Sequence, residues 1–218
     1  VTWRPQYQNY LMVVQTTGQS FNVGNQYTLH IRAAYADIDP FYNSDDVYVE
    51  FIVRNRTSVL DLSDAPLPAS YLEDCEFSVY YGDTDAGEGI SGATISIYLS
   101  GSKIASSYYT VSSSSAGTYE IALNTTVLGG LGSYSITVVA QWPDGAPYHD
   151  DAQKTISVTV IERPTNVEIV SPPSSTKYLD NVTFTFAFTD TINGQVIDIS
   201  SDNIILWGEG VQLGPDSF

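Results

Sequence analysis

Cysteine occurs once in these 218 residues, methionine once and histidine twice, and only 8 residues are basic. A single cysteine, Cys75, can form no internal disulfide, so it reads as a small buried apolar side chain. His30 and His149 do not recur with the rest of the pattern, and neither stands in a nucleophile setting. No catalytic constellation is visible, and the expectation is a protein that is not an enzyme. Against 25 acidic residues the few basic ones leave a net charge of -17. That argues against nucleic acid and anionic lipid as partners, whose binding needs basic stripes, and leaves room for a cation. No run approaches the roughly 18 apolar residues of a membrane span, so any anchor is expected outside this piece. Val1 is preceded by no initiator methionine, basic region or apolar leader, which suggests a chain that has been cut or cropped. Nowhere does a helical period last the ten or so residues a helix needs.

What the chain does contain is repetition. Tyr71-Leu72-Glu73-Asp74-Cys75-Glu76-Phe77 to Asp83-Thr84 returns 107 residues later as Tyr178-Leu179-Asp180-Asn181-Val182-Thr183-Phe184 to Asp190-Thr191. The same shift carries Tyr27-Thr28-Leu29-His30-Ile31 onto Tyr134-Ser135-Ile136-Thr137-Val138, Pro40 onto Pro147, Arg56 onto Arg163 and Pro66 onto Pro173. Residues 27 to 84 give 12 identities in 58 pairs, where ordinary composition would give roughly three or four by chance. Such a repeat points to a building material more than to a catalyst.

Within the repeat, apolar side chains alternate with polar ones in short runs, which marks half-buried antiparallel strands. The middle copy reads as about seven strands: Val59 to Leu62, Cys75 to Tyr81, Thr94 to Leu99, a weak one near Tyr108 to Val111, Thr118 to Leu123, Tyr134 to Ala140 and Thr155 to Val160. Turn signals such as Asp85-Ala86-Gly87 and Gly129-Gly130-Leu131-Gly132 separate them. Seven strands in roughly a hundred residues indicate a Greek-key sandwich. Strands are likewise expected at Tyr10, Met12 and Val14, at Val49, Phe51 and Val53, and at Ile204 to Trp207. Arg54-Asn55-Arg56-Thr57 and Ile161-Glu162-Arg163-Pro164-Thr165 lack Gly or Ser runs and should connect neighbouring domains stiffly.

Leu131-Gly132-Ser133-Tyr134-Ser135-Ile136 resembles the tyrosine corner of immunoglobulin-like domains, with Ile136 where antibody domains carry their second cysteine. In its Tyr-rich, Ser/Thr-rich, acidic style the chain is similar to tandem immunoglobulin-like repeat surface and filament proteins of archaeal type. The resemblance implies an all-β chain of tandem immunoglobulin-like Greek-key sandwiches, in families that include surface-layer, filament and adhesin proteins.

The expected division is a C-terminal half of a repeat at 1–57, a complete repeat at 58–164 and an N-terminal half at 165–218. At a shift of 109, Phe218 falls on Tyr109 and Val1 on Thr110, so the chain reads as two repeats opened inside a domain. Each half would expose an apolar sheet face, carried by Phe184, Phe186, Phe188, Ile204 and Leu206 at one end. Met12, Val14, Leu29, Ile31, Val49, Phe51 and Val53 carry the other. Each such side chain is worth roughly 1.5 to 3 kcal/mol when buried, so something must complete these halves. Three completions stand open: copies of the chain joined head to tail into a filament or surface layer, covalent neighbours in a longer array, or a rod folded back on itself.

Low total charge with abundant Ser, Thr, Tyr and Gly suits an extracellular, cell-surface location. Three sequons agree, at Asn55, Asn124 and Asn181, as candidate glycosylation sites. Asp83, Asp85, Asp144, Asp150 and Asp151 are candidates for calcium, although Asp83 to Glu88 fails as an EF-hand loop because Gly87 replaces a ligand. Tyr80, Tyr108, Tyr109, Trp142 and Tyr148 could stack on a glycan. A non-enzymatic adhesin, calcium- or glycan-binding, is therefore the alternative to the structural polymer.

Overall fold

The computed structural model describes residues 1–7, 9–17, 21–34, 43–143, 145–173, 175, 177–178, 180–199, 203–208 and 210–212. A hairpin of β1 (Thr2–Arg4) and β2 (Asn9–Leu11) opens the chain, followed by the antiparallel pair β3 (Gln26–Ala33) and β4 (Asp45–Ile52). Next come β5 (Ser58–Asp64), β6 (Ala69–Ser70), β7 (Asp74–Asp83), β8 (Glu88–Gly89) and β9 (Thr94–Leu99). They lead into β10 (Ser102–Lys103), β11 (Tyr109–Ser115), β12 (Thr118–Asn124), β13 (Gly132–Gln141) and β14 (Ala152–Ile161). Beyond them β15 (Thr165–Ser171) pairs with β16 (Thr185–Asp190), and β17 (Trp207–Gly208) with β18 (Val211–Gln212).

Strands β5 to β14 build two sheets, one in the order β10-β9-β13-β14-β6 and one in the order β11-β12-β7-β5, with β8 on the end of β7. The first strand region changes sheet at Pro66 and Pro68, which cannot donate to a ladder, so β5 lies beside β7 while β6 runs parallel to β14. Four strands facing a β9-β13-β14 sheet in this order form an immunoglobulin-like Greek-key sandwich.

Alternation decides which side chains enter it. Cys75, Phe77, Val79 and Tyr81 of β7 and Tyr119, Ile121 and Leu123 of β12 meet Ile95 and Ile97 of β9, Ile136, Val138 and Ala140 of β13, and Ile156, Val158 and Val160 of β14. Burial pushes the Cys75 thiol above its ordinary pKa, as suits a small apolar core residue. Tyr119 enters with its hydroxyl satisfied, donating to the Ile90 carbonyl at 2.9 Å and accepting from the Ala93 N–H at 2.9 Å. A side chain at Gly89 has no room, since a Cβ there would lie 2.1 Å from the Ala116 carbonyl oxygen.

The β3–β4 and β15–β16 ladders reproduce the register of the sandwich, whereas β1–β2 is one residue out of step, pairing Thr2 with Leu11 where Val111↔Ile121 would set it opposite Met12. Leu29↔Val49 and Ala33↔Asp45 in β3–β4 answer Ile136↔Ile156 and Ala140↔Ala152 in β13–β14. Val167↔Phe188 in β15–β16 answers Leu60↔Tyr81 in β5–β7, and both ladders carry the same bulge, at Ile169/Ser171 and at Leu62/Asp64. Tandem immunoglobulin-like patterning therefore extends beyond the sandwich into β3–β4 and β15–β16.

Two expected strands are corrected. Met12 and Val14 lie beyond the end of β2, and Ile204 to Leu206 lie ahead of β17. In the sandwich their counterparts are flanked on both sides, β12 by β11 and β7, and β9 by β13 and β10. With one neighbour or none, an isolated hairpin is marginal and its ends carry no ladder.

Candidate assembly interface

The faces of β3–β4 and β15–β16 that correspond to inner faces of the sandwich carry uncovered apolar side chains. Val49 and Val167 are 44% and 61% exposed, whereas their repeat counterparts Ile156 and Leu60 are 4% and 2% exposed. Phe184 is 37% exposed against 5% for Phe77. Met12 and Val14 are exposed, and Leu29, Ile31, Phe51 and Val53 are half-buried. Phe21, Tyr27 and Phe51 cluster over one end of the β3–β4 face, with ring centroids 4.7 to 5.7 Å apart. On the other half, Ile169, Phe184, Phe186, Phe188, Ile204 and Leu206 line an open groove of about 570 Å³. Among the described residues no ladder joins β3–β4 to β15–β16.

The two connectors are built alike. Thr84 N–H donates to the Thr57 carbonyl at 2.9 Å, and Thr191 N–H to the Pro164 carbonyl at 3.0 Å. The hydroxyls of Thr84 and Thr191 donate to the same two carbonyls. Arg56 Nε pairs with Asp83 Oδ2, and 107 residues on, Arg163 Nε pairs with Asp190 Oδ2 at 2.6 Å. Each arginine lowers the pKa of its aspartate by hydrogen bonding, and each aspartate also caps its own turn by accepting backbone N–H bonds. At the first connector Arg54 adds two bonds to Asp85, which together with the Thr57 N–H hold that carboxyl at a pKa of about 2. The main chain of Arg56 docks on the β13–β14 loop, donating to the Tyr148 carbonyl and accepting from Asp150 N–H. Such hydrogen-bonded connectors fix the join between one half and the sandwich.

The sequence singled out Arg56 with Arg163 and Asp83 with Asp190 as recurring residues but not as ion pairs. Both pairs span the same 27 residues, and that shared spacing of opposite charges was the available signal. Asp83 and Asp85, read as calcium candidates, are held by arginines; Asp151 accepts from Gln141 Nε2 and Trp142 N–H, and the Asp150 carbonyl from the Tyr81 hydroxyl. Asp144 and most of the 37–46 loop lie outside the described residues. Among the described residues no three His, Cys, Asp or Glu side chains are grouped to hold a metal ion.

Of the sequons, Asn124 caps a 3-10 turn at Thr125–Leu128 and donates to Asp74, Asn55 is half-buried in the first connector, and Asn181 is exposed. Of the aromatic candidates for stacking, Tyr108 and Tyr148 are exposed, whereas Trp142 packs edge-on to His149 and donates to the Gly145 carbonyl. Tyr134 is the third residue of β13 with its hydroxyl near Gly130, but among the described residues that hydroxyl makes no hydrogen bond, so the bond of a tyrosine corner is not seen.

No family model and no curated protein matches the chain. Among solved structures it is similar to an immunoglobulin domain in the titin M10–obscurin-like 1 complex, at 15% identity and a TM-score of 0.31, over 48% of this chain and 96% of that one. It is similar to the titin M3 domain at 13% identity and a TM-score of 0.32, over 48% and 97%. It also matches an IG27 domain at 14% identity and a TM-score of 0.29, over 47% and 94%. Each match takes about half of this chain and nearly all of one domain. The ladder order, not these likenesses, carries the assignment of the fold.

Proposed function

We propose that the chain is a non-enzymatic structural element of an extracellular filament or surface layer, in which the outer halves of successive copies complete one another. The observation that supports this is a pair of open faces, β3–β4 in the register of β13–β14 and β15–β16 in that of β5–β7, each with apolar side chains uncovered. In the completed sandwich the free edge of β3 takes the segment 203–208 of a neighbour, in the place β9 holds beside β13. The outer edge of β16 takes β2, in the place β12 holds beside β7. Main-chain ladders then supply the affinity and the phenylalanine face the specificity, as in other strand-addition contacts. A head-to-tail contact of this kind is heterologous and propagates into a filament when it does not close on itself. The exposed Asn181 fits a glycosylated, surface-located protein, and low lysine with many hydroxyls suits the same location.

Two measurements test this reading: the denaturing mass of the native protein after removal of sugars, and sedimentation of the same material without denaturant. A mass near 23.8 kDa together with large native particles supports completion between separate chains. A much larger denaturing mass makes the halves parts of one covalent array. Native particles of one chain's mass that attach to cells or glycans would favour the adhesin instead.

A further inference from the structure

We infer that Arg56 of one copy seats on the Tyr178 carbonyl and the Asp180 carboxylate of a second copy, forming across the assembly contact the clasp that Arg163 forms inside the chain. This rests on the completion of half sandwiches proposed above and names the polar contact that sets its register.

Arg163 makes three bonds. Its Nε donates to Asp190 of the half that follows, and its Nη1 donates to the Tyr71 carbonyl at 2.8 Å and to Glu73 Oε1 at 2.6 Å in the sandwich that precedes. One guanidinium thus ties two successive units together, and Asp190 and Glu73 both raise its pKa. Tyr71 and Glu73 stand on the turn between β6 and β7, held by Glu73 N–H to the Ser70 carbonyl at 3.0 Å and by Tyr71 N–H to the Ile161 carbonyl at 3.0 Å.

Arg56 makes only the forward bond of this set, to Asp83. Among the described residues its Nη1 and Nη2 donate to nothing, and its side chain is 41% exposed where that of Arg163 is 16% exposed. The turn that Asp83 caps matches the one Asp190 caps, down to the Gly87 N–H to Asp83 and Gly194 N–H to Asp190 carbonyl bonds, both 2.8 Å, although Asp83 also faces His149 Nδ1 at 3.6 Å and the Arg56 main chain is docked on Tyr148 and Asp150. What Arg56 lacks is the backward partner, because β1 to β4 contain no counterpart of the β6–β7 turn.

That counterpart exists at the other end of the chain. At the repeat shift Tyr71 becomes Tyr178 and Glu73 becomes Asp180, so an acidic side chain is kept where the guanidinium needs one. One bond of that turn is present: Asp180 N–H donates to the Lys177 carbonyl at 3.0 Å, as Glu73 N–H does to Ser70. Tyr178 is 92% exposed, with nothing over it. Seating this turn beside the end of β4 places Tyr178 N–H against the Arg54 carbonyl, the counterpart of Ile161. Arg56 Nη1 and Nη2, which hydrogen-bond to no described residue although Asp85 and Glu88 lie near enough to raise the guanidinium pKa, and the exposed Asp180 carboxylate are complementary in charge and register.

The test is a double-mutant cycle on the 218-residue chain, with Asp180→Asn, Arg56→Gln and the pair, each read as the concentration of half-assembly in a sedimentation dilution series. Asp180 is exposed, so its variant leaves the chain folded, which circular dichroism checks. The expected result is a rise of about tenfold for each single variant and no further rise for the pair, since each removes the same contact. Equal assembly of wild type and Asp180→Asn, or fully additive losses in the pair, overturns the clasp while the completion of halves stands. Wild-type chain that stays monomeric throughout the series overturns the completion reading itself, and the clasp with it.

Discussion

Val49 and Ile156 hold the same place in two ladders of the same register, yet one is 44% exposed and the other 4%. Strand pairing and burial are therefore separable in this molecule. A two-stranded ladder forms wherever the alternating pattern and a turn permit, but a face is covered only when a second sheet is brought against it. The two connectors teach the same lesson with charge. The Arg56 and Arg163 side chains share a forward bond, and Arg163 adds a backward one to the β6–β7 turn of the unit behind it.

The sharpest way to break the comparison is to damage each kind of face in turn. Phe186→Asp in the open half should abolish assembly in sedimentation while leaving the thermal midpoint of the sandwich unchanged; assembly that persists would sink the completed-sandwich mechanism. Ile121→Ala in the closed core should instead cost about 2–5 kcal/mol of sandwich stability, read by chemical denaturation. A smaller effect is expected from acid. Asp83, Asp85 and Asp190 have folded pKa values below the ordinary range, Asp85 at about 2. Their contribution is fully present above the unfolded carboxylate pKa of about 3.9 and is lost as pH falls from there toward about 2. The thermal midpoint should be flat from neutral pH down to about 5 and fall between about 4 and 2, less steeply in Asp85→Asn and at high salt. The smallest expected effect is that of calcium. With Asp83 and Asp85 already held by arginines, millimolar calcium should leave the midpoint where it is, and a rise would restore those carboxylates as ligands.

Much of the fold was legible because alternation is a local property. Thr94 to Leu99 and Thr118 to Leu123 were readable as strands from their own side chains, and the structure extends the second by one residue only. Strands β6, β8 and β10 are two residues each, too short for any period to register, and exist because a longer neighbour offers them an edge. Met12, Val14 and Ile204 to Leu206 show the converse, where a correct pattern finds no neighbour. The candidate interface was legible as an apolar face, but its ion pairs were not. Arg56 and Asp83 lie 27 residues apart, and their pairing exists only because the connector is laid beside the turn. Likewise the bond from the Asn124 amide to Asp74 has no mark in the sequon that contains it.

Side-chain period, turn residues and a recurrence at 107 positions are properties of the linear chain, and from them follow the strands, their pairing register and the tandem immunoglobulin-like plan. Which copies of that plan are closed is decided in three dimensions. Leu60 and Val167 carry nearly the same side chain in the same ladder position, and only the presence of a facing sheet makes one a core residue and leaves the other an open surface. Apolar burial is a property of pairs of surfaces, and a residue's own identity cannot supply the surface opposite it.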